Sequence, residues 1–341
     1  MIDVPLEKSD KKKKALCFPA SLEPGIDAPG VLHKMQHHLI QSIVLASFLK
    51  ICAGSDWCYQ SQHSCDSPCN GPEKWGSAST HCEGNAQSPI NIIHRRTLPD
   101  GRLTPFQFKN YQHSFEGLIK NNGHSVQMTV TIDASVAGAD LDTSYKAVQF
   151  HLHWGKDGRP GSEHTIDGEQ FPMELHIVHM KEKYSNLEDA LKDSSGVAVL
   201  GFVYEEKPNV NEKYNSIISA LQKIKTTGSN TTLNSVSLDQ LIPPPQNLTN
   251  YYRYKGSLTT PGCTESVIWT LFENPIPLSR DQLQAFFKLQ FKDGKPMLDT
   301  FRPVQPLNGR SVYRSGGAVV LASATLLLAS VTMALGVHLP K

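Results

Sequence analysis

Short runs in which apolar and polar residues alternate, or in which apolar residues follow one another, recur through the middle of the chain. The clearest are 125–132, 145–154, 173–180, 197–204 and 266–272. Runs of this length, bounded by Gly, Pro and Asn, predict strands. Successive side chains on a strand point to opposite faces. In 145–154 that separates Gln149, His151 and His153 from Val148, Phe150, Leu152 and Trp154. In 173–180 it puts Glu174, His176 and Val178 together, opposite Leu175 and Ile177. Each strand offers one apolar face to a core and one histidine-bearing face to something else. Helical periodicity is confined to 186–192, 211–225 and 279–289, and Pro243-Pro244-Pro245 predicts an extended surface connection. No repeat or long linker interrupts the chain between Trp57 and Tyr313. The pattern predicts one mainly β domain of roughly 255 residues with short surface helices.

The histidines add chemistry to that pattern. His151 and His153 share a strand face, and His176 follows 23 positions after His153 on a second strand. Three imidazoles brought to one point without an obvious fourth protein ligand are the coordination of catalytic zinc. A metal-bound ring needs an acceptor on its second nitrogen. Gln149 sits two before His151 and Glu174 two before His176, each on the matching face. His153 has no such neighbour, and a backbone carbonyl is expected for it. No His-Glu-x-x-His stretch occurs, which excludes the common metalloprotease pattern.

Of 341 residues, 39% are hydrophobic and 19% charged, and 33 Lys+Arg against 32 Asp+Glu leave a formal net charge of +1. No basic stripe interleaved with aromatics appears, so no nucleic-acid partner is expected. The ends differ from the middle. Residues 1–34, with four lysines at 11–14, read as a disordered extension, or as sequence upstream of a true start at Met35. Residues 35–54 carry an uncharged apolar run before Ala53 and Gly54, the form of a secretory signal. The uncharged stretch 316–337 is long enough to span a bilayer. Behind Ser315-Gly316-Gly317, with one lysine after it, 314–341 reads as a glycosylphosphatidylinositol attachment signal with Ser315 as the attachment point. A transmembrane helix is the alternative. The region 55–313 keeps Cys58, Cys65, Cys69, Cys82 and Cys263, enough for two disulfides and one spare thiol in an oxidising compartment. Asn230-Thr231-Thr232 and Asn247-Leu248-Thr249 are glycosylation acceptors in form.

Six segments occur in the order and spacing of the alpha-class carbonic anhydrases. They are Gln87-Ser88-Pro89-Ile90-Asn91-Ile92, Asn121-Asn122-Gly123-His124, the stretch 149–155, Gly161-Ser162-Glu163-His164-Thr165, the stretch 174–179, and Ser257-Leu258-Thr259-Thr260-Pro261. The resemblance covers 57–312, and the cysteines and tail most resemble the membrane-anchored extracellular type IV branch. It implies a large, mostly antiparallel twisted central sheet with zinc at the bottom of a conical cleft. It implies reversible hydration of CO2 to bicarbonate and a proton, by attack of zinc-bound hydroxide, at the extracellular face of the plasma membrane. Thr259, donating to Glu163, would orient the attacking group. Val178, Val199, Leu258 and Trp269 would wall the CO2 site, with Val197 near its mouth and Thr260 beside bicarbonate. His124 would shuttle protons through water ordered by Tyr59 and Asn122. His179 faces away from the metal, and His164 is expected to help hold Glu163. The pairing Cys82–Cys263 is implied, with Cys58–Cys69 as the second bridge, Cys58–Cys65 staying open. The partners implied are CO2, water and bicarbonate, a membrane through the anchor, and bicarbonate transporters as candidates, with the protein itself a monomer. A catalytically silent binding protein of the same fold is the competing reading. The presence of every residue named for catalysis argues against it.

Overall fold

The computed structural model describes residues 57–62 and 69–316. The expected signal at 35–54, Cys65 and the apolar tail after Gly316 lie outside the described residues. Fifteen strands follow in chain order: β1 Asn91–Ile92, β2 Leu98–Pro99, β3 Phe106–Lys109, β4 Phe115–Asn121, β5 Val126–Thr129, β6 Ser135–Gly138, β7 Tyr145–Trp154, β8 Thr165–Ile166, β9 Glu169–Gln170, β10 Met173–Lys181, β11 Val197–Glu206, β12 Asn230–Val236, β13 Tyr251–Gly256, β14 Val267–Leu278 and β15 Tyr313–Arg314. Twelve of them form one sheet in the order β12-β4-β5-β7-β10-β11-β14-β13-β15-β2, with β6 on β7 and β3 on β6. Within it β11–β14 and β15–β2 run parallel and the other pairs antiparallel. β1, β8 and β9 form a small separate sheet.

Position in the sheet explains each strand's pattern. β10 is central and buried at every residue, Glu174, His176, His179 and Lys181 included, so its polar side chains need partners inside the protein. β4, near an edge, alternates strictly: Phe115, Gly117, Ile119 and Asn121 are buried, and Glu116, Leu118 and Lys120 are exposed. The face opposite the histidines packs Phe150, Leu152, Trp154, Leu175, Ile177 and Phe202 into the larger core. Burying each such side chain contributes roughly 1.5–3 kcal/mol. The histidine face is backed by a second cluster that includes Ile90, Val178, Val199, Tyr254 and Trp269.

Helices are short. Arg280–Phe286 starts with a capping box in which Ser279 and Gln282 satisfy each other's backbone amides. Asn186 caps Leu187–Ala190. The helical pattern of 211–225 resolves into a 3-10 turn, Glu212–Tyr214, and the helix Asn215–Leu221. The proline triplet departs from expectation: Pro243 is buried, and Pro245–Asn247 winds into a 3-10 turn. A proline at the start of a turn loses no hydrogen bond, so the triplet ends in a tight turn instead of running extended. Among the described residues no helix is long and apolar enough to cross a membrane.

The sheet continues past residue 313. Ser315 is buried, its amide donates to Tyr251 O, and its hydroxyl accepts from the Tyr251 amide at 2.9 Å and donates to Thr249 O at 2.8 Å. Gly316 is the first exposed residue beyond it. Disulfides join Cys58 to Cys69 and Cys82 to Cys263.

Candidate metal centre

Register across four strands assembles the site. His151 of β7 lies opposite His176 of β10, which lies opposite Gly201 of β11. In the next row Glu174 stands between His153 and Val203, and on the other side Val178 stands between Gln149 and Val199. Trp269 of β14 extends that last row. Gly201 leaves space that the site uses: a Cβ there would stand 2.9 Å from Leu271 Cδ1 and 3.3 Å from Glu174 Oε1.

The three rings converge. His151 Nε2 and His176 Nδ1 are 3.2 Å apart, and His153 Nε2 points into the same space without a hydrogen-bond partner. One donor atom from each ring lies within 4.8 Å of the others. Every outward nitrogen faces an acceptor: Gln149 Oε1 at 3.0 Å from His151 Nδ1, Thr300 O at 2.6 Å from His153 Nδ1, and Glu174 Oε1 at 2.7 Å from His176 Nε2. Acceptors there fix the proton on the outward nitrogen and leave lone pairs facing inward. Two lone pairs 3.2 Å apart, beside a third that is buried and unmatched, repel unless a cation sits among them. Burial, then the neighbouring rings, push His151 well down, and burial also lowers His153. Neutral imidazoles are the form that binds a metal, and this donor set fits zinc.

Glu174 is the hub behind the rings. Its Oε1 also takes His164 Nδ1 at 2.7 Å, and its Oε2 accepts the amides of Glu163 and His164 at 2.9 and 2.8 Å. Burial works against its charge, but the His164 and His176 imidazoles outweigh it and hold the carboxyl well below its ordinary range. His164 meets Glu163 through Glu174, which takes the His164 ring and the Glu163 amide, and the ring makes no hydrogen bond to the Glu163 side chain. Its ring spans Glu174 and Tyr254, whose hydroxyl lies 2.7 Å from His164 Nε2, because strand β10 places the nearer carboxylate there.

Glu163 is buried, with Oε1 accepting the Arg302 amide at 2.8 Å. Its Oε2 has no hydrogen-bond partner and stands 3.5 Å from His153 Nε2. Thr259 is buried, yet among the described residues its hydroxyl is not hydrogen-bonded to Glu163, whose side chain takes only the Arg302 amide. Two residues before Glu163 the chain packs on the backbone at the end of β7: a Cβ on Gly161 would fall 1.7 Å from Gly155 N. The loop carrying Thr259 is pinned by Ser257 and Ser88, which exchange hydrogen bonds, by Trp269 Nε1 on Ser257 O, and by the Cys82–Cys263 bridge.

The family model of the eukaryotic-type carbonic anhydrases matches residues 70–316. The chain belongs to that family. It is similar to carbonic anhydrase 4 of Rattus norvegicus, 40% identical over 304 residues that cover 86% of this chain and 96% of the rat protein. Carbonic anhydrase 4 of Mus musculus is 42% identical over 301 residues, 86% of this chain and 96% of the mouse protein. Carbonic anhydrase 12 of Homo sapiens is 36% identical over 292 residues, 83% of this chain and 79% of the human one. The protein is therefore a carbonic anhydrase, an enzyme that hydrates CO2 reversibly.

In this carbonic anhydrase Val178, Val197, Val199 and Trp269 are buried in one apolar cluster, and Leu258 packs against it. The Trp269 ring stands 4.8 Å from that of His176. Thr260, half-buried, receives the Cys263 amide on its carbonyl at 2.9 Å. His124 sits apart from the three rings, in the turn between β4 and β5. Asn122 Oδ1 accepts the amides of His124 and Ser125 at 2.9 and 2.8 Å, and Gly123 takes φ 92°. The His124 ring stacks on Trp57, centroids 3.7 Å apart. Tyr59 is buried nearby, its ring 6.4 Å from that of His124. Burial and then the Glu163 charge push its phenol well up, so it stays protonated.

Sequence reasoning missed Thr300 and Arg302, whose backbone groups hold His153 and Glu163. A backbone carbonyl 147 positions away from His153 leaves no mark on the residue types. It missed Trp57 as the stacking partner of His124 because the two rings meet only through the docking of segments far apart in sequence.

Proposed function

We propose that this carbonic anhydrase is a zinc enzyme of the extracellular membrane surface, with zinc on His151 Nε2, His153 Nε2 and His176 Nδ1. The observation that carries this reading is the convergence of three inward lone pairs, each ring held from behind by an acceptor. When bound, zinc on neutral imidazoles supplies a water whose pKa falls to about 7, a value established on carbonic anhydrases themselves.

The chain's own residues do the rest. Gln149, Glu174 and the Thr300 carbonyl aim the rings. Val178, Val199, Leu258 and Trp269, with Val197 near the mouth, give uncharged CO2 a dry apolar wall. Thr260 contacts bicarbonate. Thr259 orients the nucleophile, its hydroxyl proton turned toward the unmatched Glu163 Oε2 so that its oxygen accepts from the reacting side. His124, with an imidazole pKa near 6.5 in free form, carries the released proton to buffer. Tyr59 and Asn122 order the water between. The exposed sequon residues Asn230 and Asn247 and the two disulfides suit a secreted chain. The apolar stretch 316–337 suits removal for a lipid anchor close to Ser315. Transporters that carry bicarbonate are fitting neighbours for such an enzyme.

Elemental analysis of purified, oxidised protein tests the proposal. One zinc per chain is expected, with CO2 hydration lost on chelation and regained with zinc. Metal-free protein at full activity would overturn it. Phospholipase treatment of intact cells tests the anchor: activity that stays on the cells argues for a transmembrane helix.

A further inference from the structure

The residues from Met297 to Arg302 form a strap across the end of β7. Met297 O accepts from Trp154 Nε1 at 2.7 Å, and the Asp299 amide donates to Gly155 O at 3.1 Å. Asp299 takes φ 51°, and its carboxylate pairs with Lys156 Nζ at 2.7 Å. At the centre is Thr300, fully buried. Its amide donates to Trp154 O at 2.8 Å. Its hydroxyl accepts the Trp154 amide at 3.0 Å and can donate to Trp154 O at 3.3 Å. Its carbonyl accepts from His153 Nδ1 at 2.6 Å. One residue thus grips both backbone polar groups of Trp154 and the ring of the residue just before it.

His153 differs in this from the other two rings. Gln149 and Glu174 reach His151 and His176 from two positions earlier on the same strand, so each acceptor travels with its ring. The acceptor for His153 comes from a separate segment, and it can aim the ring only if that segment is fixed to β7. Rotation of an imidazole about its last side-chain torsion is soft, so an acceptor that drifts lets the ring drift. The Thr300 hydroxyl supplies the side-chain part of the docking, on the residue next to the ring it aims.

We infer that the Thr300 hydroxyl is a positioning group for His153. By fastening Thr300 to Trp154 it fixes the carbonyl that aims His153 Nε2, and so slows release of the metal. The inference rests on the zinc site proposed above. Thr300 touches neither metal nor substrate in this reading and is not a catalytic residue. A purely structural Thr300 would act otherwise: losing its hydroxyl would lower the melting temperature of zinc-free and zinc-loaded protein alike and leave the rate of zinc release unchanged.

The test compares wild type, Thr300→Val and Thr300→Ser as zinc-loaded proteins, following zinc release into excess chelator and the melting temperature of the zinc-free forms. Thr300→Val keeps the shape and removes the hydroxyl; Thr300→Ser keeps the hydroxyl. Release from Thr300→Val is expected to be about tenfold faster than wild type, with Thr300→Ser within about twofold. That is the low end of what losing a metal ligand's supporting hydrogen bond costs, a range to which carbonic anhydrases contributed. Should Thr300→Val not fold, Thr300→Cys, a weak hydrogen-bonding group of similar size, takes its place with the same expected order. Equal release from wild type and the hydroxyl-free variant, or release from Thr300→Ser as fast as from that variant, overturns the inference while leaving the zinc reading intact. Wild type that holds no zinc overturns both.

Discussion

Glu174 Oε1 stands 2.7 Å from His176 Nε2 and so decides which nitrogen of that ring faces the metal position. The same carboxylate collects His164 Nδ1 and two backbone amides, four donors around one buried charge. Glu174→Gln replaces an all-acceptor group with one that carries its own N–H donors, and so opposes two of the four. Zinc affinity is expected to fall 10–100-fold, a range drawn partly from carbonic anhydrases. Competition against a chelator of known affinity measures it; an unchanged value removes Glu174 from the support of His176.

His124 sits in a turn held by Asn122 and is not part of the metal cluster. In the proposed mechanism it moves a proton, so His124→Ala is expected to slow CO2 hydration by about tenfold or more while zinc stays bound. Added imidazole is expected to restore the rate. A variant that imidazole does not rescue would take His124 out of the proton path.

Thr259 is carried on a loop clamped by Ser88, Trp269 and the Cys263 bridge. Removing its hydroxyl leaves the apolar cluster and the three histidine rings in place. Thr259→Ala is therefore expected to lower kcat/KM on the order of 10²-fold, the usual scale for one preorganised hydrogen-bonding group in a reacting site. Zinc content is expected to stay at the wild-type level. Wild-type turnover would show that Thr259 orients nothing.

The Cys82–Cys263 bridge closes a loop of 181 positions and ties the Thr259 loop to the N-terminal part of the domain. Replacing both cysteines by serine is expected to cost about 2–5 kcal/mol of stability in denaturant unfolding. Catalysis is expected to fall more than zinc content, because the loop carries Thr259 and none of the three rings. A double variant with native stability would refute this account of the bridge.

His179 is buried against Tyr111, whose hydroxyl lies 2.6 Å from His179 Nε2, and burial pushes its imidazole down to about 4. The unfolded chain takes up that proton near pH 6.5, the folded chain only near 4. Its contribution is fully present above about pH 6.5 and is lost as pH falls from there to about 4, reaching roughly 3 kcal/mol at most. Urea midpoints across that window are expected to fall with pH, and His179→Phe is expected to flatten part of the slope. An unchanged slope in the variant would place the acid sensitivity elsewhere.

What could be read from residue types followed local geometry. The two-residue period put His151 with His153 and Glu174 with His176, and strand spacing is the same in any protein. Ser279 and Gln282 marked a helix start because capping is a contact within one turn. β4, β12 and β13 escaped notice, since Glu116, Lys120, Asn234 and Arg253 break an apolar run that strands near an edge do not need.

By itself the sequence determined a β-rich domain, three histidines on matching strand faces, and motifs specific enough to name a family. Only the tertiary structure decided which backbone groups complete the site: the Thr300 carbonyl on His153, the Arg302 amide on Glu163, and the linkage of His164 to Glu174 and Tyr254. The reason is physical. Side-chain direction along a strand is set by neighbours in sequence, whereas amides and carbonyls are the same at every position. Which of them meets a given ring depends on how distant segments dock, and no residue letter records that.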